Sequence, residues 1–200
     1  RNFVQDNTEN VLDTNGKRKY RILLPGRLHY DKGQLFFLDT LNAFLKAHDV
    51  SSVDVEVLIA GEGPQQQEII DKINNLRLRD VVKLIGRKSN TALLQIMKNS
   101  DLVVVPSISE GFGLVAVEAL QASTVVLASD AGGLREVIKN GETGFLFKAG
   151  SQEDCLCKLT YIYFNRNSGL IDFSLVNSDL RERFSIDKHI DSIIEVIDGR

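Results

Sequence analysis

The chain has 200 residues, and 24 Lys plus Arg against 27 Asp plus Glu leave a formal charge of −3. Hydrophobic residues at 43% and charged residues at 26% are ordinary globular values, which exclude disorder and low-complexity readings. A slightly acidic balance excludes a general nucleic-acid binder, and no apolar run reaches the length of a membrane span.

One domain fits this length. The opening Arg1–Asn7 is polar and does not read as a signal peptide. Met97 is the only Met, so position 1 is not expected to be the natural start. Cys155 and Cys157 stand two apart and face different ways on a helix, so neither a disulfide nor a zinc site is expected. His29, His48 and His189 are scattered and show no metal spacing; His48 and His189 read as surface residues. Two free thiols fit a reducing cytoplasm.

Residues 1–19 are rich in Asn, Asp and Thr and read as a linker. Then a strand–helix rhythm begins. Tyr20–Leu24 is a strand closed by Pro25-Gly26, and Leu35–Ala47 is a helix with Leu38, Leu41 and Leu45 on one face. Val55–Ile59 is a strand, Gln65–Leu76 a helix carrying Ile69, Ile70 and Ile73, and Val82–Ile85 a strand. Thr91–Met97 is a short helix and Leu102–Val105 a β-branched strand stopped by Pro106. Gly113–Ala122 is a helix, Thr124–Ala128 a strand, Leu134–Lys139 a short helix and Gly144–Phe147 a short strand. After Ser151 the pattern is helical, ending in a stripe of Ile186, Ile190, Ile193, Ile194 and Ile197 that is expected to pack on the domain. Nearly all-apolar strands alternating with helices predict a doubly wound, mostly parallel α/β sheet. The domain is expected over residues 20–165, with C-terminal helices over 166–200 packing on it.

In such a sheet the ligand binds beyond the carboxyl ends of the strands, in the loops that follow them. Those loops carry Arg27, Lys32, Arg87 and Lys88, four cations in an acidic protein, together with Glu110. The most informative is Ser107–Gly113. Gly111 and Gly113 permit close backbone approach, and a helix starting there offers unpaired amides and its positive dipole end to a phosphate. Glu110 and Glu118 flank this start, and a carboxylate in the second turn can accept hydrogen bonds from two vicinal hydroxyls.

Gly111-Phe112-Gly113-Leu114-Val115-Ala116 also matches the dinucleotide pattern G-x-G-x-x-A, with Asp130 downstream. An NAD(P)-binding oxidoreductase domain therefore stands as an alternative. The match follows the fourth strand, whereas that fingerprint belongs to the first strand–helix turn. His29, Arg87 and Arg135 are further loop candidates, while Gly61 and Gly63 read as turn and packing residues.

Five motifs in order resemble the donor-binding, C-terminal half of GT-B glycosyltransferases, specifically the retaining group called family 4. They are Gly26-Arg27-Leu28 with Lys32-Gly33, Gly61-Glu62-Gly63-Pro64, Pro106-Ser107, Glu110-Gly111-Phe112-Gly113-Leu114 through Glu118-Ala119, and Gly132-Gly133-Leu134-Arg135-Glu136-Val137. The Glu110–Glu118 spacing is that group's E-x7-E. The resemblance implies that Arg27 and Lys32 bind the diphosphate of a UDP- or GDP-type sugar. Gly26, Gly111, Phe112 and the amides of Gly113, Leu114 and Val115 would surround its phosphates. Glu118 would hold the ribose, Glu110 the donor sugar, and the backbone near Lys88 the base. It implies retention of configuration, no cofactor and no metal. The acceptor, a sugar, glycan or lipid-linked molecule, would be held by an N-terminal half outside this chain. Any membrane contact would be made by that half, and this chain would be inactive alone. A non-catalytic nucleotide-sugar-binding module is the other alternative. Gln121–Val125 departs from the family in lacking its usual Gly-x-Pro before the fifth strand.

Overall fold

The computed structural model describes residues 18–184. Six strands form one parallel sheet: β1 (Tyr20–Pro25), β2 (Val55–Ala60), β3 (Val82–Gly86), β4 (Leu102–Val105), β5 (Val125–Ser129) and β6 (Phe145–Phe147). Their spatial order is β3-β2-β1-β4-β5-β6. Every residue of β1, β2 and β4 is buried, as strands covered on both faces require; the runs are apolar except for Arg21 of β1 and Glu56 of β2.

The helices are α1 (Gln34–His48), α2 (Gln66–Asn75), α3 (Asn90–Lys98), α4 (Leu114–Gln121), α5 (Leu134–Val137), α6 (Gln152–Phe164) and α7 (Phe173–Phe184). They sort by contact into two layers: α1 packs with α2 and α6, and α4 packs with α3, α5 and α7. This is the predicted doubly wound architecture, with its elements in the predicted order. Three details differ. The buried stripe of α1 is Phe37, Leu38, Leu41 and Phe44, with Leu45 at its margin. Helix α5 stops at Val137 because Ile138 turns extended. His48 is not a simple surface residue: its ring sits between Phe44 and Phe164, and its Nε2 lies 3.1 Å from Thr160 Oγ1. Cys155 is buried and Cys157 exposed, as opposite faces of α6 demand.

Of the leading segment, Arg18 pairs with Asp101 and Lys19 donates to the Ser52 carbonyl. Helix α7 leans on α4, and its Arg183 reaches the Val137 carbonyl at 3.0 Å. The isoleucine stripe beyond Ser185, and His189, lie outside the described residues.

Backbone contacts fix the loops above the sheet. The Ile108 amide donates to the Asp31 carbonyl (2.7 Å), joining the loop after β1 to the loop after β4. The Leu28 amide donates to Glu62 (3.0 Å) and the Gly133 amide to Glu110 (3.1 Å). At Gly132, with φ +51°, a Cβ would stand 1.9 Å from the Glu110 carbonyl oxygen. Only glycine allows these two loops to meet there.

Near the amino ends of the strands, Arg21 of β1 pairs in register with Glu56 of β2, and both side chains are buried. Lys83 Nζ also reaches Glu56, at 2.7 Å. Burial alone would raise the Glu56 carboxyl, but hydrogen bonds and charge from Lys83 and Arg21 outweigh it and hold the carboxyl below its ordinary range. A depressed carboxylate contributes stability above its ordinary range, and that contribution is lost as pH falls through the folded value. Glu56→Gln removes the carboxylate that Arg21 and Lys83 share and is expected to cost about 3 kcal/mol at neutral pH. In urea titrations of both proteins, the gap should narrow as the pH drops below about 4. Gly132→Ala is expected to cost at least about 2 kcal/mol in the same assay.

Candidate donor site

Sheet order reverses between β1 and β4. The loops that leave these neighbouring strands turn to opposite faces, and a crevice opens between them. Its cleft, about 250 Å³, is walled by Gly26, Arg27, Lys32, Ser107, Glu110, Phe112, Gly113, Leu114 and Val115. A broader hollow of about 620 Å³ continues from Gly26 and Arg27 toward Arg87, Lys88 and Leu93. Nine predicted residues, Lys88 among them, thus line two joined spaces. Gly111 and Glu118 are not in their walls. Glu118 is half-buried on α4, one turn beyond Leu114 and on the same helix face.

The local chemistry follows from the chain. Helix α4 starts at Gly113 in the left-handed conformation (φ +85°), where no side chain caps the first-turn amides. By contrast, α3 and α6 begin at Ser89 and Ser151, whose hydroxyls accept from Ala92 and Asp154 amides. The α4 start is therefore open to an anion where those helices are closed.

Arg27 is exposed, and its guanidinium holds no ion pair among the described residues. Lys32 Nζ lies 3.0 Å from Glu110 Oε2, so two residues assigned to separate parts of a ligand touch each other. An ammonium has three donors and can hold the carboxylate and a phosphate together. His29 Nδ1 lies 2.6 Å from Asp31 Oδ1. Burial would raise the Asp31 carboxyl, but the His29 bond and the Lys32 charge lower it.

Sequence reasoning missed three supports. Gln34 is buried and donates from Nε2 to the Arg27 carbonyl at 3.0 Å, with its Oε1 unpaired among the described residues. Ser107 Oγ lies 3.2 Å from Glu110 Oε2, and Ser129 Oγ donates to the Ser107 carbonyl. Gly132-Gly133 was read as part of a motif, but its contact with Glu110 had no signal in the spacing. Gly61 and Gly63 do pack, against the carbonyls of Gly26 and Leu28.

Asp130, the acid needed for a dinucleotide reading, accepts the Ala149 amide at 2.7 Å and ties the loop after β5 to the loop after β6. Arg135 also donates to the Asp130 carbonyl. Among the described residues no three His, Cys, Asp or Glu side chains converge as metal ligands, and no helix is long and apolar enough to cross a membrane.

A third hollow, about 390 Å³, opens at the other edge of the sheet. Its cations are already engaged: Arg18 pairs with Asp101, and Arg166 lies 4.3 Å over the Tyr163 ring.

The sequence profile of the glycosyl transferases group 1 matches residues 5–169. Over 123 residues the chain is 37% identical to a glycogen synthase of Mycobacterium tuberculosis, covering 62% of this chain and 29% of that protein. Among solved structures, it superposes on the Anabaena protein Alr3699/HepE in complex with UDP at a TM-score of 0.77. Identity there is 24%, over 91% of this chain and 49% of that one. It also superposes on the C-terminal domain of a group 1 family glycosyl transferase (LpcC) from Francisella tularensis. That match has a TM-score of 0.64 and 27% identity, over 76% of this chain and 77% of that one. The chain spans less than half the length of the curated relatives it matches. With more than half of it matched by the profile, the chain belongs to the glycosyl transferases group 1 family.

Proposed function

We propose that the chain is the donor-binding, C-terminal half of a retaining family 4 glycosyltransferase that takes a UDP- or GDP-sugar. The observation that carries this reading is the convergence of Arg27, Lys32 and the glycine-started α4 on one crevice. Two cations facing a helix N-terminus form a diphosphate site without a metal. The Anabaena neighbour was solved with UDP and with UDP-glucose, which supports the same ligand class.

In this reading the nucleoside diphosphate lies along the crevice. The base occupies the hollow beside Lys88, Glu118 accepts the ribose hydroxyls, and Arg27 and Lys32 hold the diphosphate. The amides of Leu114 and Val115 take the distal phosphate, and Glu110 takes hydroxyls of the donor sugar. As the sugar leaves, negative charge grows on the departing diphosphate. Groups already aimed at that charge lower the barrier without reorganising. Arg27 and Lys32 therefore act most strongly in the transition state. The acceptor is held by an N-terminal half, the complete enzyme works in the cytoplasm, and the donor half alone does not transfer sugar.

Thermal melts and calorimetry test the binding. A UDP- or GDP-sugar should raise the melting temperature of the chain, and Glu118→Ala should abolish the rise. No protection by any such sugar would refute the reading. In the full-length enzyme, Arg27→Ala should lower kcat by about 10²–10³ with a smaller change in KM. A change in KM alone would assign Arg27 to ground-state binding.

A further inference from the structure

We propose that Ser107 is a positioning residue that holds the Glu110 carboxylate for the donor sugar, with Ser129 fixing Ser107 from the neighbouring strand. The inference rests on the donor-binding reading and names the device that makes its sugar contact specific.

Four observations carry it. Ser107 is 1% exposed, yet its Oγ lies 3.2 Å from Glu110 Oε2. An ionised carboxylate only accepts, so the buried hydroxyl donates to it. Lys32 Nζ reaches the same oxygen at 3.0 Å. Both donors thus converge on Oε2, while Oε1 makes no hydrogen bond among the described residues. A carboxylate held by one oxygen presents the other to a hydroxyl in the cleft that Glu110 lines.

The supports of Ser107 are themselves fixed. Ser129, at the end of β5 and also 1% exposed, donates its hydroxyl to the Ser107 carbonyl. The next peptide is tied by the Ile108 amide to Asp31, the neighbour of Lys32. One backbone bond therefore sets the spacing between the two donors that meet on Oε2. Lys32 is long, solvated and shared with a phosphate; Ser107 is short, dry and has one target. Orientation of Glu110 then depends on the serine even when a bound diphosphate draws the lysine away.

The natural full-length protein is titrated calorimetrically with UDP and GDP and with UDP-glucose, UDP-N-acetylglucosamine and GDP-mannose. Ser107→Ala should weaken the sugar nucleotide that the wild type binds by about tenfold. The matching free nucleotide should change less than about twofold, and the melting temperature of the unliganded protein should stay close to wild type. Ser107→Thr, which keeps the hydroxyl, should recover most of the loss. On a Glu110→Ala background, Ser107→Ala should have no further effect on the sugar nucleotide.

Equal losses for free and sugar-bearing nucleotide would overturn the proposal, as would no loss or additive losses in the double variant. A wild type that binds none of the five compounds would instead overturn the donor-binding reading. The two failures are therefore distinguishable.

Discussion

The reversal of winding between β1 and β4 is the constraint on which the rest depends. A parallel sheet built outward from β1 on one side must start again on the other, at β4. The two loops at that seam leave for opposite faces and cannot close the gap between them. Most of the candidate site stands on that gap: Gly26, Arg27 and Lys32 on one bank, Ser107, Glu110 and the start of α4 on the other. The strands below are held in register by aliphatic burial and, near their other ends, by the Arg21–Glu56–Lys83 ion network.

A gap between loops makes a site only if the loops hold still. Here they are clamped by main chain against main chain. The Asp31–Ile108 bond crosses the seam, and the Glu110 segment is backed by Gly132-Gly133 at a distance that admits no side chain. Gln34 anchors the Arg27 carbonyl from beneath. With the backbone fixed, side chains of either sign can face each other at close range. The Lys32–Glu110 pair is the result. Such a pair is set before any ligand arrives, which lowers the ordering cost of binding.

The fold was legible because strand and helix periods alternate cleanly from Tyr20 to Phe164. The banks of the crevice were legible too, since loops after strands in a doubly wound sheet must share an edge. What was hidden has a common physical character. Ser129 to Ser107 and Gly132 to the Glu110 carbonyl are contacts set by three-dimensional register between loops 22 residues apart, and Ser107 to Glu110 depends on the turn that this register imposes on one loop. No periodicity encodes them. His48 was misread for a similar reason: its partners Thr160 and Phe164 come from α6, more than 100 residues away. Its own surroundings on α1, polar on one side and ending in Asp49, read as surface.

In this reading the β1/β4 crevice, and not the hollow between Tyr20, Asp101 and Arg166, receives a nucleoside diphosphate. An amide-resolved NMR titration of the ¹⁵N-labelled chain with UDP and GDP tests this most directly. Saturable shifts are expected at Arg27, Leu114 and Val115 with one of the two nucleotides, and none at Tyr20, Asp101 or Arg166. Shifts confined to the opposite edge, or none at the crevice with either nucleotide, would contradict it.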